Sequence, residues 1–187
     1  MLGVAIAMLL AGGGVVWWLQ QAIQSSTPTP SIAPASPSDI TQVPLQQNVQ
    51  VYWLKSTATS FELVPALVSV SAPGQPEALL QAALEAMLKG SDAAELTSTI
   101  PQGTKLEQVT IQPDGVHVNL SADFTTGGGS SSMTGRLGQV IYTATTLDPQ
   151  APVWISVAGE PLKLLGGEGL IVDQPMTRTA FEQNFPL

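Results

Sequence analysis

The chain has 187 residues, 44% of them hydrophobic, a size that suits one folded domain with appendages. Its 14 acidic residues against 6 basic ones give a formal net charge of −8, and the cations Lys55, Lys89, Lys105, Arg136, Lys163 and Arg178 are scattered, which removes the electrostatic basis for holding nucleic acid. No cysteine is present in these residues, so they contain no disulfide framework, thiol nucleophile, Cys-based zinc site or lipidated cysteine.

Residues 1–19 carry no charge and end in Trp17-Trp18. As a helix they would span about 28 Å, close to the hydrocarbon thickness of a bilayer. Paired tryptophans suit the headgroup boundary. The expectation is an N-terminal transmembrane anchor, with a cleaved signal segment or a buried core helix as the competing readings. No basic residue precedes the apolar run, and Gly12-Gly13-Gly14 weakens an isolated helix. Residues 20–47 are rich in Ser, Thr, Pro and Gln, with Asp39 as the sole charge. That composition cannot bury enough apolar surface to offset the entropy of ordering, so a disordered linker is expected. The folded domain is expected over residues 48–187.

Val49, Val51 and Trp53 alternate with Gln50, Tyr52 and Leu54, which predicts a first strand. Residues 61–70 form a second apolar, β-branched run, where Pro65 argues for an edge position or a break. A helix should then start at Pro76-Glu77 and stop at Lys89-Gly90, since proline fits the first turn and the charges suit the helix dipole. Its apolar face comprises Leu79, Leu80, Ala83, Leu84, Met87 and Leu88.

Residues 105–111 and 116–120 flank Gln112-Pro113-Asp114-Gly115 and predict a β-hairpin. Pro113 presets φ, Asp114 can bond its own backbone, and Gly115 can take a positive φ. Val116, Val118 and Leu120 should point inward, His117 and Asn119 outward. Gly127–129 and Ser130–132 predict a loop leading into a second helix, with Met133, Leu137, Val140, Ile141, Ala144 and Leu147 on its core face. Gly135 and Gly138 inside it should fray its first turn, each costing about 1 kcal/mol relative to alanine. Residues 153–157 predict a strand with Trp154 and Ser156 on the outer face, followed by a turn at 158–161, a return at 162–165, and a short helix near 179–184. Segregated strands and two amphipathic helices predict an α+β fold: a mixed, mostly antiparallel sheet of about four to six strands with both helices packed on one face.

Catalytic sets are hard to assemble from these residues. His117 is the single histidine, placed mid-strand on the outer face. Ser130, Ser131 and Ser132 read as loop and helix cap. The glycine-rich loop lacks the Gly-Lys-Ser/Thr ending of a phosphate cradle, Gly135-Arg136 being followed by Leu137. Asp114, Asp123, Asp148, Glu160 and Glu168 sit at predicted turns, and their spacing selects no pair of the kind that glycan cleavage needs about 5–10 Å apart. Neither a metal site nor a cofactor is expected. The candidate binding residues are Tyr52, His117, Asn119 and Trp154, which with Ser156 would share the face of the sheet opposite the helices; Tyr and Trp are favoured at interfaces and stack on sugar rings.

The order Ile100-Pro101, Gly103-Thr104, Leu106, the Asp114-Gly115 turn, then Leu120-Ser121 and Phe124 resembles the GerMN domain, the module named after the spore-germination and sporulation protein GerM. The resemblance extends over about residues 49–180: the opening strand, the Ala/Leu-rich helix of 78–89, the helix of 137–147, the strand and turn of 153–161, and closing elements at Gly167, Gly169, Pro175, Thr177 and Arg178. Asn119 stands where the family usually has Asp, Ala158 replaces a turn Asp, and Gly138 replaces a helix Ala. The resemblance implies a small module on the outer side of a bacterial cytoplasmic membrane that takes part in envelope-spanning assembly, and it implies no catalytic residues. The function expected is therefore a non-enzymatic, extracytoplasmic envelope module binding envelope proteins or itself, tethered through residues 1–19. The alternatives are a peptidoglycan- or glycan-binding domain and a cell-wall hydrolase or its accessory.

Overall fold

The computed structural model describes residues 45–166 and 169–187. The expected anchor at 1–19 and all but the last three residues of the expected linker lie outside the described residues, and among the described residues no helix is long and apolar enough to cross a membrane. The first strand begins at Leu45, inside the stretch expected as linker.

Strands β1 (Leu45–Ser56) and β2 (Phe61–Ala72) form an antiparallel pair. Pro65 lies opposite Tyr52, and the Tyr52 backbone faces away from β2: its N–H donates to Thr143 Oγ1 (3.1 Å) and its carbonyl accepts from Gln139 Nε2 (3.5 Å). The Pro65 nitrogen therefore faces the free edge of β2, where a missing donor breaks no ladder bond. β2 runs unbroken through it.

Helix α1 (Pro76–Lys89) has Pro76 in its first turn and closes at Gly90, whose φ of 95° only glycine adopts readily. It buries Leu80, Ala83, Leu84 and Met87 against β1 and β2, each large side chain contributing about 1.5–3 kcal/mol of transfer free energy. The indole of Trp53 donates to the Met87 carbonyl (3.3 Å), fixing β1 to the end of this helix.

β3 (Leu106–Gln112) and β4 (Gly115–Leu120) form the predicted hairpin, turning at Pro113-Asp114. Gly115 has φ 133° and passes so close to the Pro152 carbonyl that a Cβ would stand 2.2 Å from the oxygen. Val116, Val118 and Leu120 are buried as the alternation requires. A single 3₁₀ turn (Ala122–Thr125) and helix α2 (Ser130–Ala144) then carry the chain back to β5 (Val153–Val157), parallel to β4. β6 (Glu160–Pro161) closes a four-stranded mixed sheet in the order β3-β4-β5-β6. β7 (Leu164–Leu165) and β8 (Leu170–Ile171) pair separately, and α3 (Arg178–Asn184) ends the chain. The class is α+β: the described strands form three sheets, and α1 packs against β1 and β2 of one and β3 of another.

Helix α2 departs from the simple amphipathic picture. Met133, Leu137, Val140, Ile141 and Ala144 are buried as expected, whereas Leu147 lies past the helix end and is exposed. Gln139 and Thr143 are buried too, because α2 covers the outer edge of β1 and these polar side chains satisfy backbone groups there, and Arg136 is buried against the carbonyls of residues 124–127. Gln139 also accepts from Thr99 N (3.1 Å) and Ser98 Oγ (3.2 Å), tying the segment before β3 to the same edge. The glycines expected to fray the helix are points of close approach: a Cβ on Gly135 would stand 2.7 Å from Leu54 Cδ1.

Candidate functional site

Three of the four expected binding residues meet on the solvent side of the four-stranded sheet. His117 and Asn119 project from β4 and Trp154 from β5, in register by the parallel pairing of His117 with Trp154. Their rings stack at 5.8 Å between centroids, 17° from parallel. The Trp154 indole donates to the Asp114 carbonyl (3.3 Å), and His117 Nε2 lies 2.9 Å from Asp114 Oδ1. The hairpin turn thus places one residue, Asp114, within hydrogen-bond reach of a ring nitrogen of each.

Asn119 Nδ2 donates to Glu107 Oε2 (2.8 Å), while its Oδ1 accepts from Gly159 N (3.0 Å). An aspartate in its place would oppose its carboxylate to that of Glu107. The Asn119 amide and the Glu107 carboxylate form a matched pair, and the departure from the family pattern is balanced locally. Gly159 belongs to the β5–β6 turn, in which Ala158 (φ 50°) and Gly159 (φ 82°) both take positive φ, as tight hairpin turns require. Ala158 is strained there, at a cost of about 1 kcal/mol.

Tyr52 belongs elsewhere, contrary to the expectation that it shares this face. It is 8% exposed, and its ring meets Tyr142 edge-on at 5.2 Å. Its hydroxyl accepts from Arg178 Nη1 (3.3 Å). The reason is that β1 is covered on both sides. Trp53 faces α1, Leu54 and Tyr52 face α2, and alternation no longer separates an inner from an outer face.

Between His117 and the β5–β6 turn lies a groove of about 250 Å³, lined by Gln108, Thr110, Gln112, Asn119, Ser156 and Gly159 among others. The sequence reading missed Gln108, Thr110 and Gln112, although their period of two along β3, alternating with buried Val109, was the available signal.

The Asp114–His117 contact has the form of an acid–histidine pair, and the hydrogen bond from His117 holds the Asp114 carboxyl below its ordinary value. Asp114 is largely solvated, with 56% of its side chain exposed. His117 spends Nε2 on Asp114 and its ring face on Trp154, while Ser130 and Ser131 line two other grooves. No nucleophile, base and orienting group come together among the described residues. Asp123 accepts from Ser121 Oγ (3.2 Å) and Asp148 from Gln150 N (3.0 Å), so both serve their own turns. Glu160 is exposed on β6, and Glu168 lies outside the described residues. Among the described residues no three His, Asp or Glu side chains gather around a common point that could hold a metal ion.

The glycine loop before α2 presents carbonyls inward. Arg136, buried in the second turn of α2, donates to Phe124 O (2.7 Å), Thr126 O (3.0 Å) and Gly127 O (3.0 Å). The loop is a binding site for the chain's own guanidinium.

The profile of the Germane family, described as sporulation and spore germination, matches residues 50–163. The fold is shared with three solved structures. The first GerMN domain of the sporulation protein GerM from Bacillus subtilis has a TM-score of 0.56 at 17% identity, over 72% of this chain and 98% of that one. The tandem GerMN domains of the same protein give 0.55 at 21% identity, over 77% of this chain and 48% of theirs, so the chain spans about half of the tandem. A candidate lipoprotein from Clostridium perfringens gives 0.51 at 20% identity, over 72% and 89% of the two chains. No curated protein sequence shows significant similarity to the chain.

Proposed function

The chain belongs to the Germane family of sporulation and spore germination domains, and from that premise we propose that it is a non-enzymatic, extracytoplasmic module mediating protein–protein assembly near the bacterial cell wall. The observation that carries this reading is the free edge of β2. Among the described residues, the twelve of Phe61–Ala72 pair on one side only, with β1. Along the other side Leu67 is 71% exposed beside a groove lined by Ser69, Lys89, Ser91 and Leu96. An open edge with an apolar side chain upon it is a template for an added strand from a partner. The acidic balance and the scattered cations direct the reading towards proteins and away from nucleic acid.

In this reading residues 1–19 hold the chain to the cytoplasmic membrane as a single span, and residues 20–44 keep the domain, which opens at Leu45, clear of it. Support comes from the uncharged, tryptophan-ended run itself and from the Clostridium perfringens protein of similar fold, which is described as a lipoprotein.

The test is crosslinking of the full chain in envelope membranes, compared with Leu67→Lys, which places a charge on the open edge without touching the β1 ladder. The expected result is a discrete set of crosslinked envelope proteins, or of copies of the chain, lost in the variant while its unfolding midpoint stays unchanged. Identical crosslinks in both proteins, or none in either, would overturn the reading.

A further inference from the structure

The groove on the solvent face of the four-stranded sheet has a chemistry of its own. Gln108 and Gln112 are exposed, and Thr110 and Ser156 are partly exposed, so amides and hydroxyls dominate its lining. No lysine or arginine lines it. Its two neighbouring carboxylates are already engaged, Asp114 by His117 and Glu107 by Asn119.

These features select the ligand. An anion would approach two carboxylates and meet no cation to offset them. A cation would have to displace His117 or Asn119 from an existing partner. An apolar segment would strip water from the amides and hydroxyls and return no hydrogen bond. An uncharged ligand with its own hydroxyls and amides matches the lining, because a side-chain amide both donates and accepts. Beside the groove, the Trp154 ring is fixed by the Asp114 carbonyl and, on one face, by His117, so the opposite face of a preordered indole is the platform left for the apolar face of a sugar ring at little entropic cost.

We propose that this groove binds an uncharged saccharide carrying acetamido groups, with Gln108 and Gln112, four residues apart on β3, pairing to separate acetamido amides and Trp154 stacking on a ring. The site lies on a different sheet from the β2 edge, so it adds a second attachment to the assembly module and stands independently of it.

The experiment is calorimetric titration of the full chain with tetra-N-acetylchitotetraose, with cellotetraose as the unacetylated control. The expected dissociation constant is on the order of 1 mM or tighter, with cellotetraose weaker by about tenfold. Trp154→Ala should weaken binding by about tenfold or more, and so should Gln108→Ala, an exposed substitution that leaves the unfolding midpoint in place. No binding of the acetylated sugar, equal affinity for cellotetraose, or wild-type affinity in Gln108→Ala would each overturn the proposal. A chain that crosslinks to envelope proteins but gives no heat with the sugar would overturn this site and leave the assembly reading standing.

Discussion

Gly138 lies against the tip of the Phe181 ring: a Cβ on Gly138 would stand 2.7 Å from Phe181 Cζ. The same Cβ would approach Leu63 Cδ1 to 2.9 Å, so the glycine lets α2 pack at once against α3 and β2. Phe181 is 2% exposed and its ring is held by Phe185 (5.7 Å) and Tyr142 (6.0 Å), leaving it nowhere to retreat. Gly138→Ala would gain about 1 kcal/mol of helix propensity. Overpacking of this kind costs about 1–3 kcal/mol. The expected outcome is a net loss of about 1 kcal/mol in urea unfolding, although alanine is the better helix former. A stabilised variant would mean that Phe181 moves freely.

The buried guanidinium of Arg136 yields a second prediction. With three carbonyls of residues 124–127 bonded to it and burial depressing its pKa, the side chain pins the turn between β4 and α2. Arg136→Met keeps much of the volume and leaves those carbonyls without their donors. Loss of about 3 kcal/mol is expected, from hydrogen bonds to a charged group in a site that water enters poorly. Hydrogen exchange should rise first in the 124–127 turn and at the start of α2. Arg136→Lys restores a charge but not the planar fork, so only part of the loss should return.

Both glycine and arginine show where the sequence was readable and where it was not. Pro113-Asp114-Gly115 announced its turn because local φ preferences govern a two-residue loop, and the alternation of 116–120 announced the buried face because β4 has one face in the core and one in solvent. Tyr52 was assigned to the wrong side because the same alternation carries no such information in β1, which is covered on both faces. Gly138 read as a weak point because propensity was visible and Phe181, 43 positions along the chain, was not. Gln139 and Thr143 could not be recognised as buried, since hydrophobic periodicity does not register polar side chains that finish the edge of a sheet. For the candidate site, His117, Asn119 and Trp154 were found from outward positions on strands, but the amide-lined groove depended on β3 lying beside β4, which is a fact of pairing.

The final prediction concerns alkaline pH. Burial, reinforced by the hydrogen bond from its hydroxyl to Glu182 Oε1 (2.5 Å) and by the Glu182 charge, raises the Tyr142 pKa from 10.0 to about 12. Arg178 opposes this from 4.7 Å above the ring, but weakly. Tyrosine is neutral when protonated, so the raised value means that the fold favours the phenol over the phenolate. The unfolded chain releases this proton first, and the native state holds more protons than the unfolded one between the two pKa values. The stabilisation is therefore complete below about pH 10 and disappears as pH climbs towards about 12. Urea midpoints measured across that window should fall with pH, and Tyr142→Phe should show a shallower fall. Phenylalanine removes the titrating group and also the bond to Glu182, so its midpoint should start lower at neutral pH and approach the wild-type value at the alkaline end. Parallel curves would place the alkaline sensitivity in other groups and deny Tyr142 its part.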